Sequence, residues 1–359
     1  MNHARLVMVA VLLSGCVFGT PDKGTADSSA VAAAPLSWSW DSSMVFPHDQ
    51  SLKRPEDGVA LPDGRLLVAD QEHGLRLVEL DGRSKPFGEM EKAGYSHRPP
   101  AHNGGANGVS LEPDGTHVLV ADVFGAAIYR VDVTSGATEK VYQHQYGVNT
   151  AVRDSRGAIW FTQSAHNTPE AGEPRLWAAV DVVRPEGALY RLASQDGKLA
   201  AKADLLVDSL QFANGLAIDE AAGLLYLAET TGGRVLRYRV DLDQGTLSER
   251  TVFLDSIAVD NLELDGAGSL WAAAPLNNEL LVVNTATGAR QVAFQVFSPE
   301  QQKAADEFAR RGVEGKSRME LFTPASWAPL PGPITGVIFG PKGRPVYLTG
   351  LGNALVRLP

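Results

Sequence analysis

The feature that most constrains this chain is a repeated segment that sets an oxygen-bearing side chain at the same point six times. The segments start at Glu56, Asn107, Asn149, Asn214, Asp260 and Thr335. Each runs through a short apolar stretch, a turn ending in Gly and a second apolar stretch. The second stretches close at Asp70, Asp122, Gln163, Glu229, Ala274 and Gly350, 14 or 15 residues after the starts. The starts are separated by 51, 42, 65, 46 and 75 residues, a spacing that points to small β units arranged around a ring. A third apolar stretch follows each pair, as in Gly74–Val78, Ala127–Val131, Gly187–Arg191, Arg234–Tyr238, Leu280–Val283 and Ala354–Arg357. Turns such as Pro62-Asp63-Gly64 and Pro113-Asp114-Gly115 supply the reversals.

The pattern predicts an all-β chain, a six-bladed β-propeller over residues 37–359. Little chain remains after the sixth unit's third strand, so Trp38–Phe46 is expected to close the ring as an outer strand beside Ala354–Leu358. Two separate three-bladed halves would leave open sheet edges, which proteins normally avoid. The full length of 359 residues suffices for two ordinary domains, yet an all-β architecture can use it as one.

The amino terminus reads MNHARLVMVAVLLSGC. Its apolar run, Leu6–Leu13, is too short for a permanent span and has the form of a signal peptide over residues 1–15. Leu13-Ser14-Gly15-Cys16 resembles a bacterial lipobox, which implies cleavage before Cys16 and lipidation of its thiol. An ordinary secretory signal is the alternative. Residues 16–36, rich in Ser, Ala, Gly and Thr, are expected to form a flexible tether. The reading is an exported bacterial lipoprotein of the cell envelope, facing the periplasm or the outer surface, monomeric, and touching membrane only through its anchor. Cys16 is the only cysteine, so no intramolecular disulfide is possible. A net charge of −10 argues against a nucleic-acid partner, whose binding needs clustered Lys and Arg.

In a propeller the first strand of each blade lines the channel, so the six starting residues gather at one mouth. Long stretches fall on the same face: Asp81–Ala106, Gln163–Glu186 and Thr285–Gly332, the last with a helix expected at Pro299–Arg311. Trp177 lies in the second of these. Long loops on one face commonly shape a binding site. Glu56, Asn149, Asn214 and Asp260, with Asn107 and Asn261 beside them, offer carboxylate and amide oxygens. Such a set suits a hard divalent cation, Ca²⁺ before others. Zinc fits less well, because no His or Cys cluster occurs at ligand spacing. The alternative is that these side chains cap local backbone. Gln163 and Glu229, ending second strands on this face, either bind substrate or cap loops. No P-loop and no Gly-x-Ser-x-Gly elbow occurs.

Phe212-Ala213-Asn214-Gly215, Val259-Asp260-Asn261-Leu262 and Glu56-Asp57 before a Pro-Asp-Gly turn resemble the regucalcin/gluconolactonase family, and also the paraoxonases and strictosidine synthase-like proteins. The resemblance covers roughly residues 50–359. It implies Glu56, Asn214 and Asp260 as metal ligands, Asn149 as a metal or substrate contact, and Asn261 as a ligand on the paraoxonase pattern. The chain departs from paraoxonases at Asn107, where they carry a catalytic His, and at Thr150, where they carry an Asp serving a second calcium. Asn107, Asn149, Gln163 and Glu229 are the expected substrate contacts. The expected activity is calcium-dependent hydrolysis of a lactone or related ester, with Asp260 or His102 as general base. A non-catalytic or strictosidine synthase-like propeller that binds a ligand or protein is the alternative.

Overall fold

Strand two of each unit is nearly all apolar because both of its faces are covered. Leu66–Asp70 and Ile159–Gln163 are buried at every residue. Alternation sends successive side chains to opposite faces, so one strand feeds two cores. Leu67 joins the apolar cluster shared with the following unit, while Val68 joins the one shared with the last. In blade 3 Trp160 joins the cluster shared with the following unit and Phe161 the one shared with the preceding unit.

The computed structural model describes residues 37–96 and 104–359. Six four-stranded antiparallel sheets form the blades of a propeller. Blades 1 to 5 begin at Pro55–Ala60, Ala106–Leu111, Ala151–Arg153, Ala213–Asp219 and Leu262–Leu264, each followed in order by its next three strands. Blade 3 carries an additional small hairpin, Ser194–Gln195 with Lys198–Leu199, between its third and fourth strands. Blade 6 consists of Ile334–Phe339, Val346–Gly350, Leu355–Leu358 and, as its outer strand, Val45–Phe46. The register Val45 to Val356 and Phe46 to Leu355 closes the ring as the sequence predicts. Trp38 bridges instead to Phe294 on blade 5, and its Nε1 donates to the Pro359 carbonyl at 3.1 Å.

Six apolar clusters each join two neighbouring blades, so the core is a ring of interfaces. Full burial of a Leu, Val or Phe is worth about 1.5–3 kcal/mol. The reversals between strands one and two share one device in five blades. An Asp side chain accepts the backbone N–H two or three residues on: Asp63 from Arg65, Asp114 from Thr116, Asp154 from Arg156, Asp219 from Ala222 and Asp265 from Ala267. Such Asx turns stabilise a tight reversal. In blades 3 and 5 the same Asp also accepts the indole N–H of a Trp on strand two, Trp160 at 2.8 Å and Trp271 at 3.2 Å.

Two helices rise from the long loops on one face. Helix α1, Gly172–Asp181, lies between strands two and three of blade 3, and α2, Pro299–Val313, lies between blades 5 and 6. The sequence predicts α2 to within two residues, because Ser298 and Gln301 form a capping box and Pro299 opens the helix. It predicts only a loop at α1, whose N-cap Ala171 makes no side-chain cap and whose first turn holds Gly172 and Pro174. Tertiary contacts supply what that local sequence lacks. Leu176 and Ala179 pack with Val123, Phe124 and Phe212, and Arg54 pairs with Glu173. No helix among the described residues is long and apolar enough to cross a membrane.

Candidate metal centre and ligand cavity

The six starting residues meet at the mouth of the channel and all are buried. The residues after them decide how closely the strands approach. Gly108 and Gly215 alternate with Asp57, Thr150 and Asn261, and a Cβ on Gly215 would stand 2.6 Å from the Asn261 Cα. A Cβ on Gly108 would stand 2.8 Å from the Asn149 carbonyl oxygen. Glycine at these points lets Gly108 N–H donate to Asn149 O and Gly215 N–H to Asp260 O, both at 3.0 Å.

Most polar atoms of the ring are matched. Gln71 Nε2 donates to Asn107 Oδ1 at 2.7 Å, and Asn107 Nδ2 donates to Asn149 Oδ1 at 3.3 Å. Thr150 Oγ1 donates to Asn149 Oδ1 and Asn261 Oδ1, while Asn261 Nδ2 donates to Glu56 Oε1 at 3.2 Å. Thr335 and Thr349 hydroxyls both donate to the Glu56 carbonyl, at 2.7 and 2.6 Å. Asn214 Nδ2 donates to Thr230 Oγ1 at 3.1 Å, which turns its Oδ1 the other way.

Three oxygens of the ring are left over. Glu56 Oε2, Asn214 Oδ1 and Asp260 Oδ1 are buried without a hydrogen-bond partner. An unpaired buried oxygen on a carboxylate is costly. Burial pushes the Glu56 carboxyl well above its usual range, and the charges of Asp260 and Asp57 push it the same way. Burial likewise raises Asp57, against the Val109 and Gly58 N–H groups, and Asp260, against the Asn214 amide, each to about 7. Glu263, lower on the blade 5 strand, is encircled by protein although its side chain reaches solvent, and it rises to about 8 through desolvation and the Asp57 charge. Two carboxylates and an amide with unsatisfied oxygens, beside further acidic groups, fit a hard divalent cation.

Asn149 lines the same cavity, but its Oδ1 already accepts two hydrogen bonds. Asn261 Oδ1 accepts from Thr150. Gln163 and Glu229 do not line the cavity. Gln163 donates to the Glu186 carbonyl and meets His144 Nε2 at 3.1 Å. Glu229 accepts from Gln211 N–H at 2.7 Å and pairs with Arg234 at 2.6 Å. Asp70 and Asp122 act alike, accepting the N–H groups of Lys53 and Gly105 at 2.8 Å. These second-strand ends therefore pin the backbone leading into Glu56, Asn107 and Asn214. His102 and Cys16 lie outside the described residues.

Sequence spacing hid one cluster with a histidine. Glu112, Asp114 and His117 bring ligand atoms within 4.8 Å of one another. Arg130 and Arg153 hold Glu112 at 2.8 and 2.6 Å, and Arg130 reaches Asp114 at 3.0 Å, so an ion-pair network neutralises it.

Above the ring lies a cavity of about 810 Å³. Its floor includes Glu56, Asn149, Asn214 and Asp260, and its upper wall includes Trp177 and Val180 from α1 and Phe308 and Val313 from α2. Asp57, Glu263, Thr230 and Arg318 are site residues the sequence reading missed. Asp57 stood at a readable place, aligned with Thr150 and Asn261, and Glu263 interrupts apolar alternation. Nothing in the sequence marks Arg318.

Fold and site define a six-bladed propeller with an acidic, oxygen-rich ring under a largely apolar cavity. Residues 137–298 match the SMP-30/Gluconolactonase/LRE-like region, which bears out the resemblance carried by the motifs. The matched region holds Asn149, Asn214, Asp260 and Asn261. Among solved structures, a gluconolactonase from Xanthomonas campestris is similar at a TM-score of 0.58 and 17% identity, over 86% of this chain and 87% of that one. A calcium-binding regucalcin from Agrobacterium tumefaciens gives 0.54 and 17%, over 85% and 84%. A luciferin-regenerating enzyme gives 0.53 and 16%, over 86% and 87%. No curated protein matches the chain in sequence.

Proposed function

We propose that the protein is a divalent-cation-dependent hydrolase of a lactone or related ester, with Ca²⁺ as the cation. The observation that carries this reading is the convergence of Glu56 Oε2, Asn214 Oδ1 and Asp260 Oδ1, buried and unpartnered, at the floor of the cavity. These three residues would hold the ion, with Asn149 beside them. A cation bound there polarises a carbonyl oxygen and balances charge that develops on it. Thr230, Thr335 and Asn261 fix the ring through the hydrogen bonds to Asn214 and Glu56. The apolar side chains on the upper wall, Trp177, Val180 and Phe308 among them, lower the polarity around a carbonyl held over the floor, which strengthens the charge interactions there. Asp260 is proposed as the group that takes a proton from the attacking water, with His102 as the second candidate. Hydrolysis of a panel of aldonolactones, aliphatic lactones and carboxylate-bearing aliphatic lactones, with chelator and then with Ca²⁺ restored, tests the reading. Turnover that chelator abolishes and Ca²⁺ restores supports it, and no turnover by a folded, calcium-loaded sample overturns it.

One observation favours a second reading. Among the described residues no histidine lines the cavity, so a propeller that holds its ligand without turnover is the alternative. It predicts saturable binding and no hydrolysis. The exported, lipid-anchored placement through Cys16 belongs to the same proposal. Incorporation of labelled palmitate that is lost in Cys16→Ser supports the anchor, and incorporation that survives the change excludes it.

A further inference from the structure

The cavity wall holds one cation that the hydrolase reading does not use. Arg318 is 2% exposed and lines the cavity between the two helices. Its Nε donates to the Val180 carbonyl on α1 at 2.8 Å, and its guanidinium lies 4.2 Å over the Phe308 ring of α2. Its Nη2 is buried with no hydrogen-bond partner. The Asp181 carboxylate lies within electrostatic reach of the guanidinium but does not bond Nη2, and its Oδ1 accepts the backbone N–H groups of Arg318 and Met319 and the Ser317 hydroxyl. Gly312 on α2 makes the room, since a Cβ there would overlap the Arg318 Nη1. The cavity lining joins an apolar set, Leu176, Trp177, Val180, Phe308 and Phe322, to polar residues that include Gln302 and Asp306 of α2.

A buried guanidinium with a free N–H, set in apolar walls, is suited to a carboxylate or similar anion. Leu176, Trp177, Val180, Phe308 and Phe322 together give an alkyl or aryl body an apolar surface that a polyhydroxylated ring would leave unused. We infer that the natural ligand is an amphiphile with an apolar body and one anionic group, and that Arg318 selects the anion. This rests on the proposed function for which bond is cleaved, but not for binding. If the site hydrolyses a lactone, its preferred substrate is an apolar lactone bearing a carboxylate rather than an aldonolactone.

Dodecanoate and its neutral counterpart dodecanol, both below micelle formation, test the inference by quenching of tryptophan fluorescence in the full chain. Titrations run in chelator and again with Ca²⁺, so neither hydrolysis nor the cation is needed for a readout. Dodecanoate is expected to bind at least about tenfold tighter than dodecanol. The preference should vanish in Arg318→Gln while dodecanol affinity stays the same. Gly312→Ala keeps the charge and favours the helix, yet displaces the guanidinium, and it should lose the preference too. Equal affinities in the wild type, or a preference that survives both changes, overturns the inference. Absence of lactone turnover with the preference intact removes the hydrolase reading and leaves this one standing.

Discussion

Glu56 is the residue on which the metal reading turns, because one of its oxygens is held by Asn261 and the other is left free. Glu56→Gln keeps an oxygen for Asn261 and removes the negative charge. Calcium affinity by calorimetry should fall at least about tenfold, or about 1.4 kcal/mol, and unchanged affinity would place the ion elsewhere. Glu263 supplies a pH prediction of a different kind. Desolvation by the surrounding strands, helped by the Asp57 charge, raises it from 4.5 to about 8 even though the side chain reaches solvent. The folded chain thus keeps a proton that the unfolded chain releases. Stability from this group is fully present below about 4.5 and is lost as pH rises through about 8. In chelator, Glu263→Gln should be more thermostable than wild type at pH 8, with the advantage shrinking toward pH 5. The effect should be small because channel solvent screens the side chain. Parallel melting curves across that range would contradict it. At this scale Glu56, Asn214 and Asp260 could be read from the repeat, since alignment alone puts them at equivalent points. Arg318 could not, because its setting joins the neighbouring α2 to α1, which lies well over a hundred residues earlier in the chain.

At the level of the element, the polar ends of the second strands hold the backbone entering the ring and do not line the cavity. Glu229 spends both oxygens on Gln211 N–H and Arg234. Glu229→Ala should cost about 2–3 kcal/mol in urea unfolding, through a lost charge-assisted bond and an unpaired N–H. An effect within about 0.5 kcal/mol would show that the loop holds itself. The sequence placed polar residues at four of the six ends and left open, for Gln163 and Glu229, whether they capped or bound. Only the tertiary positions of Gln211, Lys53 and Gly105 separate the two. The helices divide on the same principle. Ser298, Pro299 and Gln301 announce α2 locally, whereas α1 is stabilised by Leu176 and Ala179 packed on Phe124 and by the Arg54 pair.

For the whole molecule, ring closure is the global constraint, and it depends on a two-residue strand. Val45–Phe46 completes blade 6, and Phe46 packs against Tyr347 with ring centres 5.7 Å apart. Removing residues 37–50 exposes the Leu355–Leu358 edge and forfeits the burial of Phe46. Stability should drop by about 3 kcal/mol or more, taking the lost side chain and the open edge together. A truncated chain that melts with the wild type would show that blade 6 is complete without it. The all-β class, the count of six blades, the closing strand and the axis on which Glu56, Asn214 and Asp260 meet were all legible in the sequence. They were legible because period-2 apolar strands and turn residues are local signals, and repetition multiplies them. Tertiary structure alone decided which oxygens of the ring stay unpaired, that Gln163 and Glu229 cap loops, and that α1 and α2 bring Arg318 into an apolar wall. Those outcomes depend on contacts between residues in different strands, loops and helices, from a few positions to over two hundred apart, and no local pattern says which partner the fold will bring up.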